Sequence, residues 1–414
     1  MVVGRTKIGN LQKALDNCDF VQYIQVMQKL AFKTQLLANN VQASHLARPC
    51  GVARFSWNWG LSKWNEQYKE FVDGGRDKKP SGLALKKELN AVKKLEFPWM
   101  YDVSKYASAQ PFIFLNRAWS DYFKKKKMNG KPVGRPRFKK KGKCSDSFYV
   151  GGDQVVTKGK LVKIPNLGWL KMAEPVKYGG HINSMTITRV ADKWYVSFSI
   201  DVEVSMLPSE NQARCGVDLG INKLATLSSG SVRYWETPKP LQQSLRKLAR
   251  YQRRLVKKVK KSNGYKKVQI KIARLHKKIA DIRRNTLHQL TTYLIKNFQE
   301  ITIEDLAVKN MMRNGKLAGH IADVGFYEAR RQLEYKSDWF GRTLVIADRW
   351  FPSSKLCSDC GAKNTGLTLS QRTYLCACGN KKCRDFNAAI NLENYTARSA
   401  EIYAARDNGS ALAA

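Results

Sequence analysis

Carboxylates are what this chain is short of. Its 414 residues carry 33 Asp+Glu against 74 Lys+Arg, a formal net charge of +41. A compact chain with that balance repels itself unless a polyanion neutralises it, so nucleic acid is the expected partner. Histidine is scarcer still: the five histidines, at 45, 181, 276, 288 and 320, form no spaced pair suited to a metal and are assigned no chemistry. No apolar run reaches the roughly 18 residues that span a bilayer. Nor does the N-terminus show a basic segment followed by an apolar stretch and a small-residue cleavage site. No membrane partner and a cytoplasmic location are expected. The nine cysteines are an odd number, and five of them fall between 357 and 383. In a reducing compartment such clustering reads as metal binding rather than as a disulfide framework. Length and a hydrophobic content of 43% allow about two to four modules with at least one sizeable core.

Against this basic background three acidic patches stand out: Gly216-Val217-Asp218-Leu219-Gly220, Ile301-Thr302-Ile303-Glu304-Asp305-Leu306, and Arg384-Asp385-Phe386-Asn387-Ala388-Ala389. In the first two, apolar residues lead straight into a carboxylate, as when a buried strand delivers an acid to a sheet edge. The third opens an alanine-rich, helix-prone stretch. Three convergent carboxylates can hold two hard divalent ions about 4 Å apart, the arrangement that hydrolyses phosphodiesters. In the second patch the alternation puts Glu304 and Asp305 on opposite faces, and periodicity leaves the choice between them open.

Along the chain, residues 1–26 carry no motif and read as an appendage, and a strand-like alternation starts at Met27. Residues 40–70, 83–89 and 107–123 have helical patterns, and Trp57, Trp59, Trp64, Trp99, Phe112, Phe114 and Trp119 read as core. Lys124 to Lys143 is a basic stretch without an acid, broken by Gly and Pro, and reads as an extended phosphate-tracking segment. Lys124, Lys125, Lys126, Lys127, Arg135 and Arg137 are its candidate nucleic-acid contacts. Residues 148–205 are β-rich, with a hairpin turning at Ala191-Asp192-Lys193. A polar linker, 204–212, leads to the first acidic strand. Leu241 to Lys261 and Lys266 to Phe298 form a basic helical hairpin broken at Ser262-Asn263-Gly264. Arg253, Arg254, Lys257 and Lys258 are further candidate contacts on its first arm.

Cys357-Ser-Asp-Cys360-Gly361 is a zinc-knuckle half-site, followed by Cys376-Ala-Cys378-Gly379. Two thiolate pairs fit a closed tetrahedral zinc site. The second pair is one residue short of the usual spacing and Cys383 lies just beyond, so Cys383 is an alternative ligand. Cys357, Cys360, Cys376 and Cys378 are the expected set.

With these motifs the chain resembles the TnpB family of insertion-sequence proteins, related to compact type V CRISPR effectors. The resemblance runs from Met27 to about Tyr395. It rests on GVDLGINKLATL, the basic hairpin, ITIEDL, RQLEYKSDWFGRTLVIADRWFPSSKLCSDCG and RDFNAAINL, with support from GVARFSWNWGL and VGRPRFKKK. It implies an α/β multidomain protein: a RuvC-like nuclease core of RNase H fold with a zinc-ribbon insert, plus an N-terminal β-barrel wedge and a helical recognition lobe. The expected boundaries are an appendage at 1–26, wedge at 27–50, lobe at 51–123, basic loop and wedge barrel at 124–212, and core at 213–352 with the hairpin at about 241–298. The zinc ribbon at 353–383, the end of the core at 384–398 and a tail at 399–414 follow. The resemblance also implies that Asp218, Glu304 and Asp385 are the catalytic acids, holding two Mg²⁺ ions beside one structural Zn²⁺. A guide RNA would direct a monomeric protein to target double-stranded DNA next to a short flanking motif, faced by the lobe. A type V CRISPR effector, an RNA-guided repressor that no longer cuts and a transposase are the rival readings. Intact acids speak against the repressor, and the zinc insert before the third acid speaks against the transposase.

Overall fold

The computed structural model describes residues 24–125, 127–128, 131–206, 212–368 and 370–396. Most of the expected appendage (1–23), Lys126 and the 399–414 tail lie outside the described residues. The chain forms two units, one of Met27–Val202 with Pro238–Asn285, the other drawn mainly from Glu203–Thr237 and from Thr286 onward.

The first unit opens with β1 (Ile24–Leu36), whose alternation buries Leu30, Phe32, Thr34 and Leu36. Helices α1 (Asn40–Val72), α2 (Gly82–Glu96) and α3 (Lys105–Phe123) follow. A capping box starts α1: Gln42 N–H donates to Asn39 Oδ1 at 2.8 Å, and Asn39 N–H to Gln42 Oε1 at 3.0 Å. The expected wedge–lobe border at residue 50 falls inside this unbroken helix. The three helices share an aromatic core in which Trp64 and Trp119 stack at 5.6 Å. Trp57 and Phe112 join that core, whereas Trp99 and Phe114 do not: they are 43% and 46% exposed. Helical periodicity cannot place a residue such as Trp99, which sits in a short turn between α2 and α3.

After the short pair β2 (Lys127–Met128) and β3 (Lys131–Pro132) come six strands: β4 (Ser147–Gly151), β5 (Val156–Lys158), β6 (Leu161–Ile164), β7 (Gly168–Lys171), β8 (His181–Val190) and β9 (Lys193–Met206). They form a sheet of order β1-β9-β8-β4 and another of order β5-β6-β7. A bridge between Leu36 and Met172 links the two, with Leu37 N–H donating to the Lys171 carbonyl at 2.8 Å. Phe32, Phe148, Val162, Leu170, Ile187 and Phe198 fill the shared core. Among the described residues no pairing joins β4 to β5, so the expected barrel does not close. A tight turn, Gly152–Gln154, carries the chain from one to the other instead.

Helix α4 (Pro240–Val256) and the start of α5 (Asn263–Asn297) fall within this unit. They meet through Leu248, Leu275 and Ile279, and Arg274 forks onto Asp192 in the β8–β9 turn, with Nε at 2.9 Å from Oδ1. The first arm stops at Val256, five residues before the expected Lys261. Lys257, Lys258, Lys260 and Lys261 would crowd one more turn with like charge. Ser262, expected as part of the break, caps the second arm by accepting Tyr265 N–H at 3.1 Å.

The second unit is built on five strands: β10 (Arg214–Asp218), β11 (Lys223–Leu227), β12 (Tyr234–Glu236), β13 (Glu300–Glu304) and β14 (Thr343–Ala347), in the order β12-β11-β10-β13-β14. The β12, β11 and β10 strands pair antiparallel, while β10, β13 and β14 run parallel. Ile301, Thr302 and Ile303 are all buried, as a parallel strand covered on both faces requires. Helices α6 (Val308–Met311), α7 (Ala318–Val324) and α8 (Phe326–Phe340) follow β13, and the pair β15 (Thr373–Leu375) and β16 (Lys381–Cys383) leads into α9 (Arg384–Glu393). Ala388, Ala389 and Leu392 of α9 are buried, and the helix packs on β10.

Candidate active site and metal centre

Parallel pairing brings two of the acids together. In register, Val217 lies opposite Ile303, so Asp218 and Glu304 leave neighbouring strands at the same sheet edge. Asp385 arrives on the first turn of α9. All three are half-buried. The Asp218 carboxyl is held well above the usual carboxylate range by burial and by the charges of Glu304 and Asp385, with Arg384 opposing. Burial also raises Glu304, against a hydrogen bond donated by Ser353 Oγ. Arg384 Nε stands 3.9 Å from Asp385 Oδ1.

Asp305 is engaged elsewhere. Arg330 Nη1 donates to its Oδ1 at 2.7 Å, and Arg349 pairs with its other oxygen. The ambiguity left by strand alternation therefore has a geometric answer: Glu304 shares Asp218's electrostatic environment, and Asp305 anchors two arginines. Glu304 also lines a cavity of about 620 Å³ with Leu219, Lys309, Tyr327, Arg330 and Arg349. Sequence reasoning missed Ser353, Arg330 and Arg349, since no local pattern marks a residue that acts on a distant strand end.

Gly216, two residues before Asp218, sets how close α9 comes. A Cβ there would fall 2.0 Å from the Ala389 carbonyl oxygen and 2.4 Å from the Glu393 nitrogen. Both are backbone atoms and cannot swing aside. Gly216→Ala is expected to cost about 1–3 kcal/mol of stability, the usual scale of overpacking, and to displace the helix that carries Asp385. Thermal melting and a cleavage assay would check this; an unaltered melting temperature would argue against such tight packing.

The cysteines resolve into one group. Sulfurs of Cys357, Cys360, Cys376 and Cys378 all lie within 4.8 Å of one another. Cys357 to Cys378 and Cys360 to Cys376 are each 3.6 Å apart. A tetrahedron of thiolates on zinc, with bonds of about 2.3 Å, has edges of about 3.8 Å, so the quartet fits that ion. Cys383 is not in the group; it pairs with Thr373 in the β15–β16 ladder. Gly379, with φ of +91°, makes the turn that the shortened Cys-Ala-Cys half-site needs. Desolvation works to raise the Cys357 thiol, but the Cys360 N–H, the Asn380 amide and the Asp359 N–H outweigh it, and its pKa falls to about 6. A thiol so held is ready to be a thiolate ligand.

For the acids, the donor chemistry suits hard cations: carboxylate oxygens, with the charges of Glu304 and Asp385 acting on Asp218, which a divalent ion would offset.

The expected nucleic-acid contacts are dispersed. Residues 133–140 run extended along α1, where Asn58 receives Lys139 N–H at 2.8 Å and donates to its carbonyl at 2.9 Å. The Arg137 carbonyl accepts from Trp57 Nε1 at 3.0 Å, and the Arg135 guanidinium lies over Trp119 at 5.5 Å. Lys124 and Lys125 are exposed at the end of α3. Arg253, Arg254 and Lys257 gather with Arg250 around a cavity at the end of α4, and Lys258 is exposed beyond it.

These features define an α/β protein with convergent carboxylates and a thiolate quartet, and known proteins share its sequence. A family model described as "Probable transposase" matches residues 197–315, and one described as "Cas12f1-like, TNB domain" matches 326–392. A third, described as "Helix-turn-helix domain", matches 27–72, where the structure has β1 and a single 33-residue helix. A Streptomyces pristinaespiralis protein named "Putative RNA-guided DNA endonuclease" is 33% identical over 366 residues, 88% of each chain. One from Escherichia coli K12 with the same name, InsQ, is 34% identical over 378 residues, 87% of this chain and 91% of the relative. A solved Cas12f1–sgRNA–target DNA complex covers 89% of this chain at 16% identity and a TM-score of 0.34, too slight a likeness to argue from. The chain belongs to the family of these relatives, the TnpB family that its motifs resemble.

Proposed function

We propose that this protein is an RNA-guided DNA endonuclease of an insertion sequence. What supports the proposal is that Asp218 and Glu304 end neighbouring parallel strands and that the charges of both Glu304 and Asp385, the latter on the first turn of α9, act on the Asp218 carboxyl. A mixed sheet with three antiparallel strands followed by two parallel ones, order β12-β11-β10-β13-β14, supports a RuvC-like core of RNase H fold. Residues 353–383 would be its zinc ribbon, and the sheets and helices of the first unit the wedge and recognition lobe.

Asp218, Glu304 and Asp385 would hold the Mg²⁺ ions, which supply Lewis-acid stabilisation and an activated water when bound. The chain's own contribution is placement. Two strand ends and one helix start set the acids, Arg384 tempers their repulsion, and the cavity beside Glu304 offers Lys309 and Tyr327 to a DNA strand. Base pairing with the RNA would choose the target, while the protein reads a flanking motif and duplex shape. A net charge of +41 supports long phosphate contacts, with Arg253, Arg254, Lys257, Lys258 and the basic segment from Lys124 to Arg137 as candidates. We place the monomeric complex in the cytoplasm, where the thiolate quartet stays reduced. No helix of the described residues is long and apolar enough to cross a membrane.

The protein purified from its native locus is expected to carry a structured RNA and to cut DNA matching that RNA. Binding should weaken by about 10³-fold or more between 50 and 200 mM salt if six or more phosphates are contacted. Protein that arrives without RNA and cuts DNA unguided would overturn the proposal.

A further inference from the structure

Two buried asparagines on α9 hold the chain segment that touches Glu304. Asn387 and Asn391 are both fully buried and one helical turn apart, so they share a face. Asn391 Nδ2 donates to the Ser353 carbonyl and to the Leu356 carbonyl, each at 2.8 Å. Asn387 Nδ2 donates to the same Leu356 carbonyl at 2.6 Å, while its Oδ1 accepts Ser358 N–H at 2.9 Å. The backbone from 353 to 358 is thus fastened to the helix whose first turn carries Asp385. At the start of that segment Ser353, only 4% exposed, donates its hydroxyl to Glu304 Oε1.

A continuous path therefore joins two of the three acids: Asp385, along α9 to Asn391, across to the Ser353 backbone, and through its hydroxyl to Glu304. We propose that Ser353 is a positioning residue for Glu304 and that Asn391 sets where Ser353 stands. The inference rests on the proposed role of the acids. Its physical basis is that a carboxylate at a strand end can rotate, and a buried hydroxyl fixed from a second element selects one orientation. Outer partners of this kind change metal affinity or activity by about 10–100-fold when removed. Strand register fixes where the Glu304 backbone stands and says nothing of which way its oxygens face. The three elements meeting here, β13, the 353–358 segment and α9, are distant in sequence.

The test measures Mn²⁺ binding to the full chain with its copurified RNA, with Asp218→Ala giving the baseline of ions held elsewhere. Ser353→Ala is expected to weaken the Asp218-dependent binding about 10–100-fold, with zinc content and RNA affinity unchanged. Ser353→Thr, which keeps the hydroxyl, is expected to restore most of it. Asn391→Ala should weaken Mn²⁺ binding in the same direction; if it fails to fold, Ser353→Ala and Ser353→Thr still decide. Wild-type Mn²⁺ affinity in Ser353→Ala, or equal loss in the alanine and threonine variants, would overturn the positioning role alone. No difference between wild type and Asp218→Ala would overturn the metal-binding role of the acids, and the positioning role with it.

Discussion

Single replacement of Asp218, Glu304 or Asp385 by alanine is expected to lower cleavage by at least about 10³-fold, the scale of losing an essential catalytic group. RNA and target binding should stay close to wild type, because none of the three is among the candidate basic phosphate contacts. Stability gives a second, less usual readout. Asp218 is raised by burial and by two like charges, so in the folded state its ionisation is disfavoured relative to the unfolded chain. A group with a raised folded pKa loses stability as pH rises. Without divalent cations, wild type is thus expected to melt lower at neutral pH than at mildly acidic pH, and Asp218→Asn to lessen that difference. Loss of cutting without loss of stability would mark the acids as a functional cluster that opposes folding. Asp305→Asn provides the contrast. Its carboxylate holds Arg330 and Arg349, so cutting should fall by less than about tenfold, the lower end of outer-partner effects. An Asp305 variant as inactive as Glu304→Ala would reverse the assignment of the second acid.

Cys357→Ser is expected to reduce zinc from one per chain to near zero and to unfold the insert. The ribbon has little else to hold it: Tyr374 is its one large side chain fully buried among the described residues, with its hydroxyl donating to the Lys355 and Ala362 carbonyls. Structural zinc supplies apparent binding energies of about 10–16 kcal/mol in small fingers, far more than so small a core. Cleavage should fall with the metal by roughly 100-fold or more, at the upper end of outer-shell effects, because the 353–358 segment is bound through Asn387 and Asn391 to the helix of Asp385. Cys383→Ser is expected to keep its zinc. Metal analysis of the two variants decides the ligand set; retained zinc in Cys378→Ser with loss in Cys383→Ser would replace one ligand by the other.

Much of the site was legible because local spacing carried it. An apolar run ending in an acid is readable as a strand end whatever the strand pairs with, so Asp218 could be named, while the second run left Glu304 and Asp305 both open and only the family resemblance chose Glu304. A Cys-x-x-Cys-Gly turn is equally local, and so is the strand-like alternation of residues 148–205. Legibility failed where the partner lay far away in sequence. Trp99 and Phe114 are aromatic by sequence but exposed by packing. The first hairpin arm ends at Val256, before Lys257, Lys258, Lys260 and Lys261 and with no Gly or Pro at its end. Among the described residues the two bridged sheets of the first unit stay open between β4 and β5, although each strand taken singly fits a barrel.

By itself the sequence determined that the chain is strongly basic, that two apolar strands each run into an acid and that it has thiol pairs spaced for a metal. Charge, alternation and short spacings are properties of neighbouring residues, and folding does not alter them. Only the tertiary structure shows that the Glu304 charge acts on Asp218 while Asp305 holds two arginines, that the four expected thiols gather without Cys383, and that Ser353 reaches Glu304. Each of those outcomes depends on orientation between segments separated by tens of residues. Strand register, the close approach of α9 over Gly216 and the buried asparagines supply that orientation.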